Sequence, residues 1–224
     1  MSLKARAWIS LIAFAIAVAL LLFLPAGSIH YWQGWLYLTL FVGASALTTI
    51  LLFRRDPALL ARRMRGGPAA ESRPTQRIIM LGASLGFIAL LVVPALDYRF
   101  GWSRLPTVAI AAGDVLVAVG LYLVFVVYRA NTFASATVEV GQDQQLVSTG
   151  PYAIVRHPMY ASALLYVIGT PLALGSYWGL LVLAEFLPFL IWRLFDEEQL
   201  LAEQLPGYPQ YQERVRHRLI PFVW

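Results

Sequence analysis

The sequence predicts an all-α protein: a polytopic membrane bundle of about five to six transmembrane helices, the last two forming a helical hairpin. Three observations carry that class. Long apolar runs have spanning length, charge is scarce, and basic residues collect on alternate loops. Hydrophobic residues make up 59% of the 224-residue chain and charged residues 13%, about half the ~25% typical of a soluble domain. Mean hydropathy is +0.67.

A helix needs about 20 apolar residues to cross a bilayer, with a range of ~17–25. The run from Trp8 to Leu24 follows Lys4 and Arg6. It exceeds the ~7–15 residues of a signal-peptide apolar core, so it reads as the first span. Trp35–Phe53, Ile78–Leu96 and Thr107–Tyr128 supply three more. Tyr160–Leu174 and Gly179–Leu194 are shorter, and Gly175-Ser176-Tyr177-Trp178 separates them. This pair reads as a tight hairpin that crosses fully or dips deeply. Pro171 and Pro188 would kink its arms, which membrane helices tolerate when neighbours satisfy the freed carbonyls. Gly82 with Gly86, and Gly113 with Gly120, are small-residue positions that let membrane helices approach closely.

Basic residues set the orientation, because Lys and Arg collect on the cytoplasmic side. With the N-terminus inside, fifteen of them fall on inner segments: Lys4, Arg6, seven arginines from Arg54 to Arg77, Arg129, Arg156, Arg193, Arg214, Arg216 and Arg218. Only Arg99 and Arg104 fall outside. Both termini are therefore expected in the cytoplasm, in the inner membrane if the cell is bacterial. The net charge of +5 follows from topology and attraction to anionic membrane lipid, so no nucleic-acid partner is needed. There is no cysteine, which excludes disulfides, thiolate nucleophiles and cysteine–metal sites. His30, His157 and His217 are too scattered to argue for a metal.

Chemistry has to sit where polar residues gather, at 129–159 and 193–224. The chain thus divides into N-terminal spans over 1–128 and a region over 129–224 made of a loop, the hairpin and a C-terminal helix. In the first stretch Gly150-Pro151 marks a turn. His157-Pro158 keeps His157 out of the helical region and opens a helix at Pro158. The N–H groups of a helix start suit an anion, although interfacial anchoring alone would also explain Arg156 and His157. In the second stretch Arg193 and Glu197 share one helix face, and Glu198 extends the acidic pair. These acids, next to a span, would suit a cationic ligand. Pro206-Gly207 ends that helix, and Tyr208 and Tyr211 add aromatic surface. Glu185 and Asp114 are intramembrane acids with no assigned role.

Gly-Pro-Tyr, then Arg156-His157-Pro158-Met159-Tyr160, a hairpin, Arg193-x-x-x-Glu197-Glu198, paired tyrosines and Ile220-Pro221 together resemble the isoprenylcysteine carboxyl methyltransferase family. The resemblance runs from about residue 131 to 221. It implies a membrane methyltransferase that uses S-adenosylmethionine, with a cytoplasmic C-terminal cofactor pocket in a catalytic region over 129–224. A lipophilic or lipid-anchored substrate would enter from the bilayer. Carried over by position, cofactor contacts are expected from Gln144, Gln145, Leu146, Val147, Tyr152, His157, Pro158, Met159, Tyr160, Glu197 and Glu198. Arg193 is expected to hold the carboxylate that accepts the methyl group. The chain departs from the family pattern at Ser162, where glycine is usual, and at Leu205-Pro206, where an aromatic-glycine pair is usual.

Other acceptors stay open, including a phospholipid amine or a small thiol. A nicotinamide-dependent membrane reductase related to the sterol reductases is disfavoured by Glu197-Glu198, since acids repel that cofactor's phosphates. A transporter or scaffold would place polar residues in several spans, and the first three are almost wholly apolar.

Overall fold

Every apolar run folds as a helix, and most of these helices extend past the run because capping and flanking residues carry them into the polar zone. The computed structural model describes residues 1–141 and 144–224. Five helices are long and apolar enough to span: α1 (Leu3–Ala26), α2 (Trp32–Arg55), α4 (Pro74–Phe100), α5 (Thr107–Ala130) and α7 (Trp178–Gln204). Between them lie the short α3 (Pro57–Arg63), the 16-residue α6 (Pro158–Ala173) and, after α7, α8 (Tyr208–Arg214). Among the described residues there is no strand.

Local chemistry accounts for the helix ends. The Ser2 side chain caps α1 by accepting from the Ala5 N–H at 3.2 Å, and Gly27 closes it with φ 62°. Asp56 ends α2 and caps α3, accepting from the Leu59 N–H at 2.8 Å. That short helix had no signal in the apolar pattern. His157 sits at φ −120°, ψ 63°, and Pro158 is the first residue of α6, as a residue before proline should place it. At 1.5 Å per residue α6 is about 24 Å long, short of a ~30 Å hydrocarbon core.

Packing follows the small residues. A Cβ on Gly120 would lie 2.7 Å from the Tyr166 nitrogen and 2.8 Å from the Ser162 carbonyl. Gly113 likewise faces the backbone of Leu172–Ala173. Only glycine at these positions lets α5 and α6 pack backbone to backbone, and that pair makes the most extensive interface in the bundle. On α4, Gly82 lies under the Phe189 ring, and Gly86 lies beside Phe186 and the Glu185 carboxylate of α7. Two tyrosines inside the bundle find partners: the Tyr31 hydroxyl donates to the Leu174 carbonyl at 2.6 Å, and Tyr37 bonds Thr170 at 3.1 Å. At one end Asp97 accepts from the N–H and hydroxyl of Ser103, both at 2.6 Å, and from the Ser176 hydroxyl. These bonds fasten the α6–α7 turn to the end of α4. Outward-facing Ile9, Ile12, Ile16 and Leu20 leave α1 with an apolar exterior, suited to lipid.

Candidate active site

At the opposite end the helices part around a cavity of about 580 Å³, within the range of small-molecule sites. One half is apolar and lies between spans, lined by Phe41, Ala44, Leu121, Val124, Phe186 and Leu190. The other half is polar and is walled by the loop after α5, the start of α6 and the end of α7. The structure brings Gln144, Gln145, Leu146, Val147, Tyr152, His157, Pro158, Met159, Tyr160, Arg193 and Glu197 to this one wall. Glu198 is not brought there and lies behind it.

Four charged residues leave the end of α7 in different directions. Arg193 is buried and donates from Nη1 to Glu71 Oε1 at 2.9 Å and to Gln76 Oε1 at 2.8 Å. Its Nη2 donates to the Ala136 carbonyl at 2.9 Å and its Nε to the Tyr160 hydroxyl at 3.2 Å. Asp196 accepts from Arg73 at 2.7 Å and from Gln76. Glu198 binds three donors: Arg156 Nε at 2.7 Å, His157 Nε2 at 3.2 Å and Arg218 Nε at 2.9 Å. Glu197 differs from the others. It accepts from the Tyr160 hydroxyl, and among the described residues no cation pairs with it. The sequence suggested an Arg193–Glu197 pair; Arg193 turns to Glu71 instead, because that acid is 1% exposed and needs a cation.

The start of α6 is held from behind by the C-terminal tail. The Arg156 and His157 N–H groups donate to the His217 and Arg218 carbonyls, both at 2.9 Å. Arg156 Nη1 also donates to the carbonyls of Val215 and Arg216, at 2.8 and 3.0 Å. With its Nε2 at Glu198, His157 presents a ring face to the cavity and stacks loosely on Tyr160, centroids 5.5 Å apart.

Three tyrosines complete the polar half. Tyr152 accepts from Asn131 Nδ2 at 3.0 Å, and its carbonyl accepts from the Tyr211 hydroxyl at 2.7 Å. Burial pushes the Tyr152 phenol up to about 12; the Asn131 bond and the Arg63 charge pull the other way, while Glu197 pushes up. Tyr208 is buried and its hydroxyl has no partner among the described residues. Burial, then the charges of Glu198 and Glu197, hold that phenol well above its ordinary range, so it is a neutral donor at any physiological pH.

Sequence reasoning missed Glu71, Gln76, Arg63, Asn131 and Tyr208. Glu71 carried one faint signal, as one of two acids in the arginine-rich segment 54–77. Gln76, Arg63 and Asn131 bond across 21 to 120 positions, beyond any local pattern.

An all-helical bundle of membrane-spanning length with a cavity at its helix ends is compatible with an integral-membrane methyltransferase. Residues 108–206 match the family model for phospholipid methyltransferase, a stretch running from α5 to just past α7. Over that stretch the chain is similar to the phospholipid methyltransferases. No curated protein matches the chain.

Proposed function

We propose that the chain transfers a methyl group from S-adenosylmethionine to an amphiphilic acceptor that enters the cavity from the bilayer. One observation carries the cofactor assignment. Glu197 is an acid on the cavity wall with no cationic partner among the described residues, while Arg193, Asp196 and Glu198 around it are all paired. A carboxylate flanked by Tyr152, Tyr160 and Tyr208 suits a sulfonium or ammonium group, which aromatic faces also attract. The unpartnered Tyr208 hydroxyl is a second wall group that a polar ligand would satisfy. Nicotinamide-cofactor phosphates would meet Glu197 as a like charge.

S-adenosylmethionine supplies a methyl on a positively charged sulfur: the acceptor's lone pair bonds the methyl carbon, and the S–CH₃ electron pair stays on sulfur as a neutral thioether. The wall residues contribute position, since holding reactants in line can supply about 7–11 kcal/mol. Glu197 and the loop residues Gln144 to Val147 hold the cofactor side. Arg193 has four of its five N–H donors engaged, so it offers an acceptor one bond and otherwise fixes Tyr160. A carboxylate acceptor needs no base, and the motif resemblance supports it. A lipid amine must first lose a proton. It is supported by the description of the matching family and by the engaged fork of Arg193, which would meet a carboxylate with one donor rather than two.

The fifteen-to-two distribution of basic residues supports a cytoplasmic cavity and cytoplasmic termini. The catalytic groups we assign lie within 129–224, with α2 to α4 completing the wall. Calorimetry of the purified protein with S-adenosylhomocysteine and NADPH tests the reading. Binding of the first and not the second is expected, and the converse would overturn it. Labelled methyl transfer to phosphatidylethanolamine vesicles or to an S-prenylated cysteine then separates amine from carboxylate.

A further inference from the structure

Resting on the reading of this cavity as the methyl-acceptor site, we propose that Arg63 is the residue that holds an anionic group of the acceptor. Three arginines line the cavity. Arg193 is neutralised by Glu71 at 2.9 Å and Arg156 by Glu198 at 2.7 Å. Arg63, the last residue of α3, has no acidic partner among the described residues. Its Nη1 donates to the Ser135 carbonyl at 2.5 Å, and its guanidinium lies 5.1 Å from the Tyr128 ring centroid. Those two contacts aim the guanidinium and leave most of its five donors to the cavity.

A half-buried guanidinium without a counter-charge is costly, and a cation–π contact offsets only part of that cost. An anion from a ligand would complete it. Arg63 also stands where an amphiphile's charged group would lie, since its ring partner Tyr128 packs with Leu52 and Leu60 in one apolar cluster at the cavity. Among the described residues the cavity thus carries two uncompensated charges of opposite sign, Glu197 and Arg63, and the Tyr152 phenol feels both. The arrangement sorts a cation to one end and an anion to the other. The anion is a carboxylate or a phosphodiester, both of which a guanidinium fork receives bidentately.

The test uses the full-length protein in an uncharged maltoside detergent, titrated with dodecyl phosphate, laurate and dodecanol. Wild type should bind one or both anions at least tenfold more tightly than dodecanol. Arg63→Gln should abolish that preference, and Arg63→Lys should keep part of it, with unfolding midpoints close to wild type. A preference for dodecyl phosphate would identify a phospholipid headgroup as the source, and a preference for laurate a carboxylate. The proposal is overturned if wild type shows no preference, a result that stands even should Arg63→Gln fail to fold. It is also overturned if the preference survives in Arg63→Gln, as a purely structural clasp on Ser135 requires. S-adenosylhomocysteine binding is measured on the same samples. Its absence beside an intact anion preference would sink the cofactor reading and leave Arg63 standing.

Discussion

Replacing Glu198 with glutamine should release the C-terminal tail from the start of α6. The carboxylate is the common anion of Arg156, His157 and Arg218, whose side chains are 6%, 4% and 29% exposed, against 7% for Glu198 itself. Removing one partner of a buried ion pair costs about 3–5 kcal/mol. The partly exposed Arg218 adds less, and the glutamine oxygen still accepts one bond, so the low end of that range applies. About 3 kcal/mol at 1.36 kcal/mol per decade opens the tail roughly 150-fold more often. Opening frees the bond after Arg218, whose carbonyl otherwise accepts from the His157 N–H. Limited trypsin digestion in neutral detergent reads this directly, because cleavage tracks the open population when reclosing is fast. Cleavage after Arg218 should accelerate by about two orders of magnitude in Glu198→Gln. The exposed Glu203→Gln change should leave it alone, since Glu203 bonds only its helix neighbour Gln199. A wild-type rate in Glu198→Gln would refute the clamp.

Three further outcomes are expected. Glu197→Gln should weaken S-adenosylmethionine binding by about 30-fold or more (about 2 kcal/mol, half the Coulomb value at ~4 Å and an effective dielectric of ~20). Binding of uncharged-sulfur S-adenosylhomocysteine should weaken less; equal calorimetric losses would show that Glu197 does not face the sulfonium. Gly113→Leu should lower the thermal midpoint, because the new side chain meets the Leu172–Ala173 backbone, with an overpacking cost of about 1–3 kcal/mol. An unchanged melting curve would mean that α5 and α6 do not pack as described. Because the chain has no cysteine, single-cysteine labelling reports topology cleanly. In intact cells Arg104→Cys should react with an impermeant maleimide and Arg55→Cys should not; the reverse pattern would invert the orientation.

Spans were legible because apolar length is a local property of a membrane sequence, and so was the α6–α7 turn, marked by Gly175 and Ser176. The end of α7 was legible too: the apolar run stops at Leu194, but Pro206-Gly207 marked the helix stop, and α7 runs to Gln204. The short α3 was not legible, since no apolar run marks it. The expected cofactor residues from Gln144 to Tyr160 do converge on one cavity, their order in the chain being set by a loop and a helix start. What each one touches was not legible. Glu198 stood in sequence as half of an acidic pair, and the helix turns it about 100° from Glu197 towards three cations. Arg193 stood beside Glu197 on one helix face, and only a folded loop could bring Glu71 to it from 122 positions away.

The paired charges at the end of α7 have a mechanical consequence. Arg193, Asp196, Glu197 and Glu198 occupy just over one and a half turns and are gripped from three sides. Glu71, Arg73 and Gln76 hold Arg193 and Asp196, Tyr160 holds Arg193 and Glu197, and Arg156 with the tail holds Glu198. Such a helix end behaves as a key with wards on three sides, since rotating it about its axis would break all these grips at once. Any breathing that admits a bulky guest therefore falls to the opposite wall. There α2 and α3 meet the cavity through Thr48, Thr49, Leu52 and Leu60, and among the described residues the side chains of Arg62 and Arg63 hydrogen-bond only the backbone of the 132–135 loop.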